Sequence, residues 1–130
     1  RVNSLFPIMS NRYIGTEEIM PIQDAGKQIT QRVLSWQGMT AQPHRFGGTE
    51  YLLGRREIGH VHGDHMVDIP FPTKVRHEIV DAGQAQPHHL LHDSGWISFY
   101  IREEADVERA LTLLHRSYLI ATKQYEKRTA

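Results

Sequence analysis

Three histidines and an aspartate crowd into the run His60-Val61-His62-Gly63-Asp64-His65, and eight of the nine histidines fall between residues 44 and 92. Imidazole has the side-chain pKa nearest neutrality and is also the commonest neutral metal ligand, so such a cluster suits proton transfer, metal binding or pH sensing. In an extended strand residues two apart share a face, which puts Ile58, His60 and His62 on one side and Glu57 and Val61 on the other. His60 and His62 can then hold one divalent transition-metal ion. The turn at Gly63 can bring Asp64 or His65 back as a third ligand, with His88 of a second histidine-rich stretch as a further alternative. Three protein ligands and one open position is the pattern of catalytic zinc. The plain alternative is that some imidazoles make buried hydrogen bonds and the rest are solvated.

Two function classes stay open. The first, ranked ahead because no complete catalytic constellation is legible, is a ligand-binding or interaction module. In it His44, Arg45, His60, His62 and His88 line a pocket for a small anionic or polar ligand, with Trp96 as packing or as a stacking platform. The second is a metal-assisted enzyme, a hydrolase or oxygenase, with Glu57 as general base. Arg45 has the competing use of pairing with Glu50 or Glu57, and Gly47-Gly48 reads as a turn into a strand. Ser94 lacks a glycine-framed nucleophile elbow and is expected to cap a turn. A divalent metal is the one cofactor these residues suggest, since no glycine-rich flavin or nucleotide motif occurs.

The elements that must position these groups follow from periodicity. Ile22, Ala25, Ile29, Val33 and Trp36 share one face of a predicted helix from Ile22 to Gln37, and Met39 to Pro43 reads as a connector. Thr49 to Gly54 and Glu57 to His62 form a predicted hairpin, and a short strand from Met66 to Ile69 stops at Pro70. A short helix opens at Pro72, carries Val75, Ile79 and Ala82 inward and closes at Gly83. Trp96 to Ile101 alternates as a strand. A final helix from Glu104 buries Val107, Ala110, Leu111, Leu114, Tyr118 and Ala121, with acids at its start and bases at its end. Together these predict a two-layer α+β domain, an antiparallel sheet of four or five strands with helices packed on one face. The other face is left for a ligand or for a second subunit of a homo-oligomer.

The 130 residues suit a single core burying about two thirds of the unfolded surface. Residues 21–125 are expected to form that domain, with 1–20 an amino-terminal arm or tail and 126–130 a carboxy-terminal tail. Fifteen basic and fifteen acidic side chains cancel without a block of like charge, which predicts no nucleic-acid partner and no anionic membrane. With no cysteine there is no disulfide and no thiolate zinc site. The apolar run from Leu5 to Met9, broken by Pro7, is too short for a signal core or a span, so the expected compartment is the cytoplasm.

Four ordered motifs carry a resemblance: His44-Arg45-Phe46-Gly47-Gly48, Arg56-Glu57-Ile58-Gly59-His60-Val61-His62-Gly63-Asp64, Asp68-Ile69-Pro70-Phe71-Pro72 and Asp93-Ser94-Gly95-Trp96. With the closing helix through Ser117-Tyr118, they resemble the small luciferase-domain family over about residues 30–121. Its members are mostly uncharacterised, so the resemblance supplies little mechanism. It does not imply flavin-dependent light emission, whose enzymes are TIM barrels of roughly 200 residues or more. More remotely, the order of helix, sheet and terminal helix is similar to MmcQ/YjbR-like proteins. That similarity raises a DNA-binding reading which the zero net charge opposes. The spacing His60-x-His62-x-Asp64-His65 also matches a letter pattern of the metallo-β-lactamase superfamily. That fold needs a much longer chain, and only 65 residues follow His65 here.

Overall fold

In the computed structural model, which describes residues 22–129, the two longest amphipathic stretches are helices on one side of a sheet. α1 (Ala25–Leu34) buries Ala25, Ile29 and Val33. It ends sooner than the periodicity predicts, because the amides of Ser35 and Trp36 bond back to the carbonyls of Arg32 and Val33 in a tighter turn. α3 (Ala105–Thr129) buries Val107, Ala110, Leu111, Leu114 and Ala121 of the predicted stripe, leaves its Tyr118 half-buried, and buries Leu113 and Ser117 besides. It continues to Thr129, through most of the segment expected to be a tail. The expected arm over residues 1–20 lies outside the described residues.

Between them in sequence runs a six-stranded sheet: β1 (Met39–Pro43), β2 (Thr49–Leu53), β3 (Arg56–His62), β4 (Met66–Pro70), β5 (Gln86–Pro87) and β6 (Trp96–Tyr100). Its order is β1-β2-β3-β4-β6-β5 and every pairing is antiparallel. Among the described residues the expected four or five strands are thus six. The two unforeseen ones, including the supposed connector, are the edges. Each ends in a proline, Pro43 or Pro87, which argues against a strand in sequence but is tolerated at an edge where one side of the backbone has no partner. α2 (Thr73–Asp81) buries Ile79, and Gly83 follows it with φ 74°, the left-handed closure its position predicts. Among the described residues no helix is long and apolar enough to cross a membrane.

Register assigns the two sheet faces. The pairs Val67↔Phe99 and Ile69↔Ile97 lie in one apolar core with Ile29, Val33 and Leu114 of the helices. Gly59 is part of that contact: a Cβ there would stand 2.5 Å from Leu114 Cδ2 and 3.1 Å from the Asp68 carbonyl oxygen, so a larger residue would push the Leu114 side chain aside. On the opposite face the pairs Gln42↔Glu50, Glu50↔His60, His60↔Asp68, Asp68↔Ser98 and Ser98↔Gln86 make one polar row across all six strands.

One feature of β3 departs from simple alternation. Tyr51 pairs with Gly59 but Leu52 pairs with Glu57, leaving Ile58 as the extra residue of a β-bulge. Ile58 therefore enters the core instead of sharing a face with His60, and Glu57 comes round to touch His60. Both placements reverse the expectation from strict two-residue periodicity.

Candidate functional site

The centre of the polar row is Asp68, an aspartate in the otherwise apolar run Met66-Val67-Asp68-Ile69 and only 1% exposed. Its Oδ1 accepts a hydrogen bond from Ser98 Oγ at 2.6 Å. Around its Oδ2 stand three imidazole nitrogens: His62 Nε2 at 2.9 Å, His60 Nε2 at 3.3 Å and His88 Nε2 at 3.4 Å. Three elements meet here for separate reasons. His60 and His62 are two apart on β3, Ser98 is Asp68's partner on β6, and His88 follows β5, whose Pro87 pairs with Ile97 of β6.

Each imidazole is oriented by what its other nitrogen meets. His60 Nδ1 lies 2.5 Å from Glu57 Oε2, so the ring sits between two carboxylates. Burial works against its charge, but the hydrogen bonds to Asp68 and Glu57 outweigh burial and push its pKa up to about 9. Asp68 mirrors this: burial alone would raise its pKa, yet the hydrogen bonds from His60, Ser98 and His62 and the charge of His88 hold it well below the usual carboxylate range. His88 differs. Its Nδ1 accepts hydrogen bonds from the amides of Leu90 at 3.1 Å and Leu91 at 3.2 Å, so its proton belongs on Nε2, which donates towards Asp68. Burial depresses its pKa.

Walls flank this floor. His44 stacks on His60 with centroids 4.0 Å apart and planes at 20°, and its Nε2 lies 3.9 Å from Glu50 Oε1. The Trp96 ring lies 5.5 Å from His60 and 6.2 Å from His88.

The fold thus brings together His44, Glu57, His60, His62, His88 and Trp96 of the residues singled out in the sequence. The convergence of His88 on His60 and His62 is as the sequence reading expects. Arg45 is exposed, its guanidinium 4.6 Å from the Phe46 ring centroid. Asp64 is not at the cluster: its Oδ1 accepts from Gly26 N at 2.8 Å and so satisfies a free amide at the start of α1. The carboxylate between His60 and His62 is Asp68, not Asp64. His89 stacks on His88 at 4.5 Å, and His92 contributes its carbonyl to the buried Arg76 guanidinium. Ser94 caps its turn as predicted, donating to Leu91 O at 2.7 Å and accepting from Trp96 N at 3.1 Å.

Sequence reasoning missed Asp68 and Ser98 as site residues. The one available signal was a carboxylate interrupting an apolar strand, since a buried charge needs partners. Which partners, only register reveals.

Comparison with known proteins agrees with the motif reading. Residues 55–117 match the family model described as the luciferase domain. The matched segment holds Glu57, His60, His62, Asp68, His88, Trp96 and Ser98, whereas the His44 to Gly48 motif lies before it. No curated protein and no solved structure matches the chain significantly.

Proposed function

Taking the luciferase-domain segment as the scaffold of this polar face, we propose that the domain is a binding module for a small polar ligand. The ligand is received at the floor made by His60, His62, His88 and Asp68, between His44 and Trp96. The observation that carries this reading is the burial of an ionised carboxylate under three imidazoles on the face that α1 and α3 leave alone. A buried ionic network is a poor way to stabilise a fold, because well-packed apolar side chains often do as well or better. Strongly displaced pKa values around such a network are typical of functional sites.

Charge narrows the ligand. Glu50, Glu57 and Asp68 face the row against the imidazolium of His60, so the floor is net negative and suits a cation or a ligand rich in hydrogen-bond donors. A small anion would find its nearest charged help in Arg45, which is exposed above Phe46. As for a general base, Glu57 is already engaged with His60 Nδ1, an arrangement that orients an imidazole.

The test is nitrogen NMR of the imidazole side chains during titration with a panel of small cationic, neutral and anionic polar compounds. The reading expects His60, His62 and His88 to shift together with at least one class. Shifts confined to the exposed His65 and His77 would overturn it.

A further inference from the structure

We infer that the ligand of this face is a divalent transition-metal cation, held by His60 Nε2, His62 Nε2 and Asp68 Oδ2. This inference rests on the binding-module reading and specifies its occupant.

Spacing is the first argument. Donor atoms about 2.0–2.2 Å from one cation lie roughly 2.8–3.6 Å apart when adjacent in octahedral or tetrahedral coordination. Asp68 Oδ2 is 2.9 Å from His62 Nε2 and 3.3 Å from His60 Nε2, and the three residues offer one ligand atom each within 4.8 Å of one another. A cation can therefore take the place of the protons that now join them, with little movement of the strands.

Orientation is the second argument. A ligating imidazole ordinarily gives its other nitrogen to a carboxylate or carbonyl, and a ligating carboxylate is itself hydrogen-bonded. His60 Nδ1 faces Glu57 Oε2 at 2.5 Å, and Asp68 Oδ1 receives Ser98 Oγ at 2.6 Å. Both second partners are in place.

Tautomers remove the competing sets. Asp68, His88 and His89 also come within reach of one another, as do His44, Glu57 and His60. His88 Nδ1 accepts two backbone amides, so Nε2 keeps its proton and has no lone pair for a metal. His44 Nδ1 accepts from Phe46 N at 3.2 Å, which likewise leaves the proton on the Nε2 that faces Glu50. Two imidazoles and one carboxylate remain, with the other coordination positions open, a donor set suited to zinc or iron(II). His88 then stands beside the ion as a hydrogen-bond donor to whatever fills an open position.

Binding is a proton exchange: the cation displaces the Nε2 protons of His60 and His62. The first goes to solvent, and the second goes to solvent or to His62 Nδ1.

The experiment uses protein purified without a histidine tag, titrated calorimetrically with zinc and manganese, and with iron(II) anaerobically, near pH 7.5. One equivalent should bind, and wild-type imidazole NMR with zinc should place the largest nitrogen shifts on His60 and His62 Nε2. Asp68→Asn and His62→Ala should lose stoichiometric binding, and Glu57→Gln should weaken it about 10- to 100-fold. Asp64→Asn and His65→Ala should bind as the parent does. Loss of metal in Asp64→Asn, or zinc shifts centred on His88 and His89, would overturn the assignment. The NMR readout on the parent protein stands even if a variant fails to fold. No saturable binding tighter than about 0.1 mM would overturn the metal inference. Polar compounds still shifting the three imidazoles would then leave the binding module standing, and no shift from either would remove both.

Discussion

On the face covered by α1 and α3, the sheet buries Val67, Ile69, Ile97 and Phe99 against Ile29, Val33 and Leu114. On the other face the same strands bury Asp68, Ser98 and His60 almost as completely. The degree of burial is similar and the physics opposite. Apolar area removed from water contributes roughly 25 cal/mol per Å² whatever its exact partners, so the covered face tolerates approximate complementarity. A buried carboxylate must have each lone pair met, so on the polar face one missing hydrogen bond leaves a desolvated charge. Stability is concentrated on the first face and specificity on the second.

The largest effect should come from the covered face. Leu114, fully buried where α3 crosses Gly59, leaves a cavity when shortened, and Leu114→Ala should cost roughly 2–5 kcal/mol in urea denaturation. A loss below about 1 kcal/mol would show that this face does not dominate stability. Next is the polar face: Ser98→Ala strands Asp68 Oδ1 and should cost about 1–3 kcal/mol, although only one oxygen atom is removed. Were Ser98→Ala neutral, Asp68 would have to be satisfied by water, and the two faces would be less unlike than argued.

The third effect is a slope with pH. His60 binds its proton more tightly when folded, so its contribution is complete below about pH 6.5 and is lost as pH climbs through about 9. Asp68 and His88 act on the acid side. Both have lowered folded pKa values, so their contributions are present at higher pH. That of His88 declines as pH falls below about 6.5, and that of Asp68 as pH falls below about 3.8. Thermal melts across this range should therefore show a maximum near neutrality. In Leu114→Ala the whole curve should drop without changing shape, whereas Asp68→Asn should flatten the alkaline limb. A flattened limb in Leu114→Ala would break the division between faces. The smallest effect belongs to neither: Arg32 and Glu108 pair at 2.8 Å between α1 and α3 while both are exposed. Exposed pairs are screened and entropically costly, so Arg32→Gln should leave the melting midpoint within experimental error.

Several features are decided by neighbours in sequence. α3 announces itself through its apolar stripe and its acidic start, and β6 through strict alternation, because both patterns reflect which side of a regular element meets the core. His60 and His62 share a face because the strand period is two, and the luciferase-domain resemblance is written in the order of short motifs. Other features depend on pairings between distant segments. A one-residue bulge opposite Tyr51 and Leu52 reverses the sides of Ile58 and Glu57, and strict two-residue alternation does not foresee it. Edge strands ending in Pro43 and Pro87 exist because a neighbouring strand offers hydrogen bonds, not because their own residues favour extension. The sequence reading takes Asp64 as the carboxylate beside His60 and His62 and passes over Asp68, four positions on. The approach of Gly26 draws one to a helix terminus, and strand register sets the other between His60 and Ser98. The sequence alone determined the imidazoles and the α+β class. Tertiary structure chose the carboxylate, because an aspartate's role depends on which donors the folded chain brings within hydrogen-bond reach.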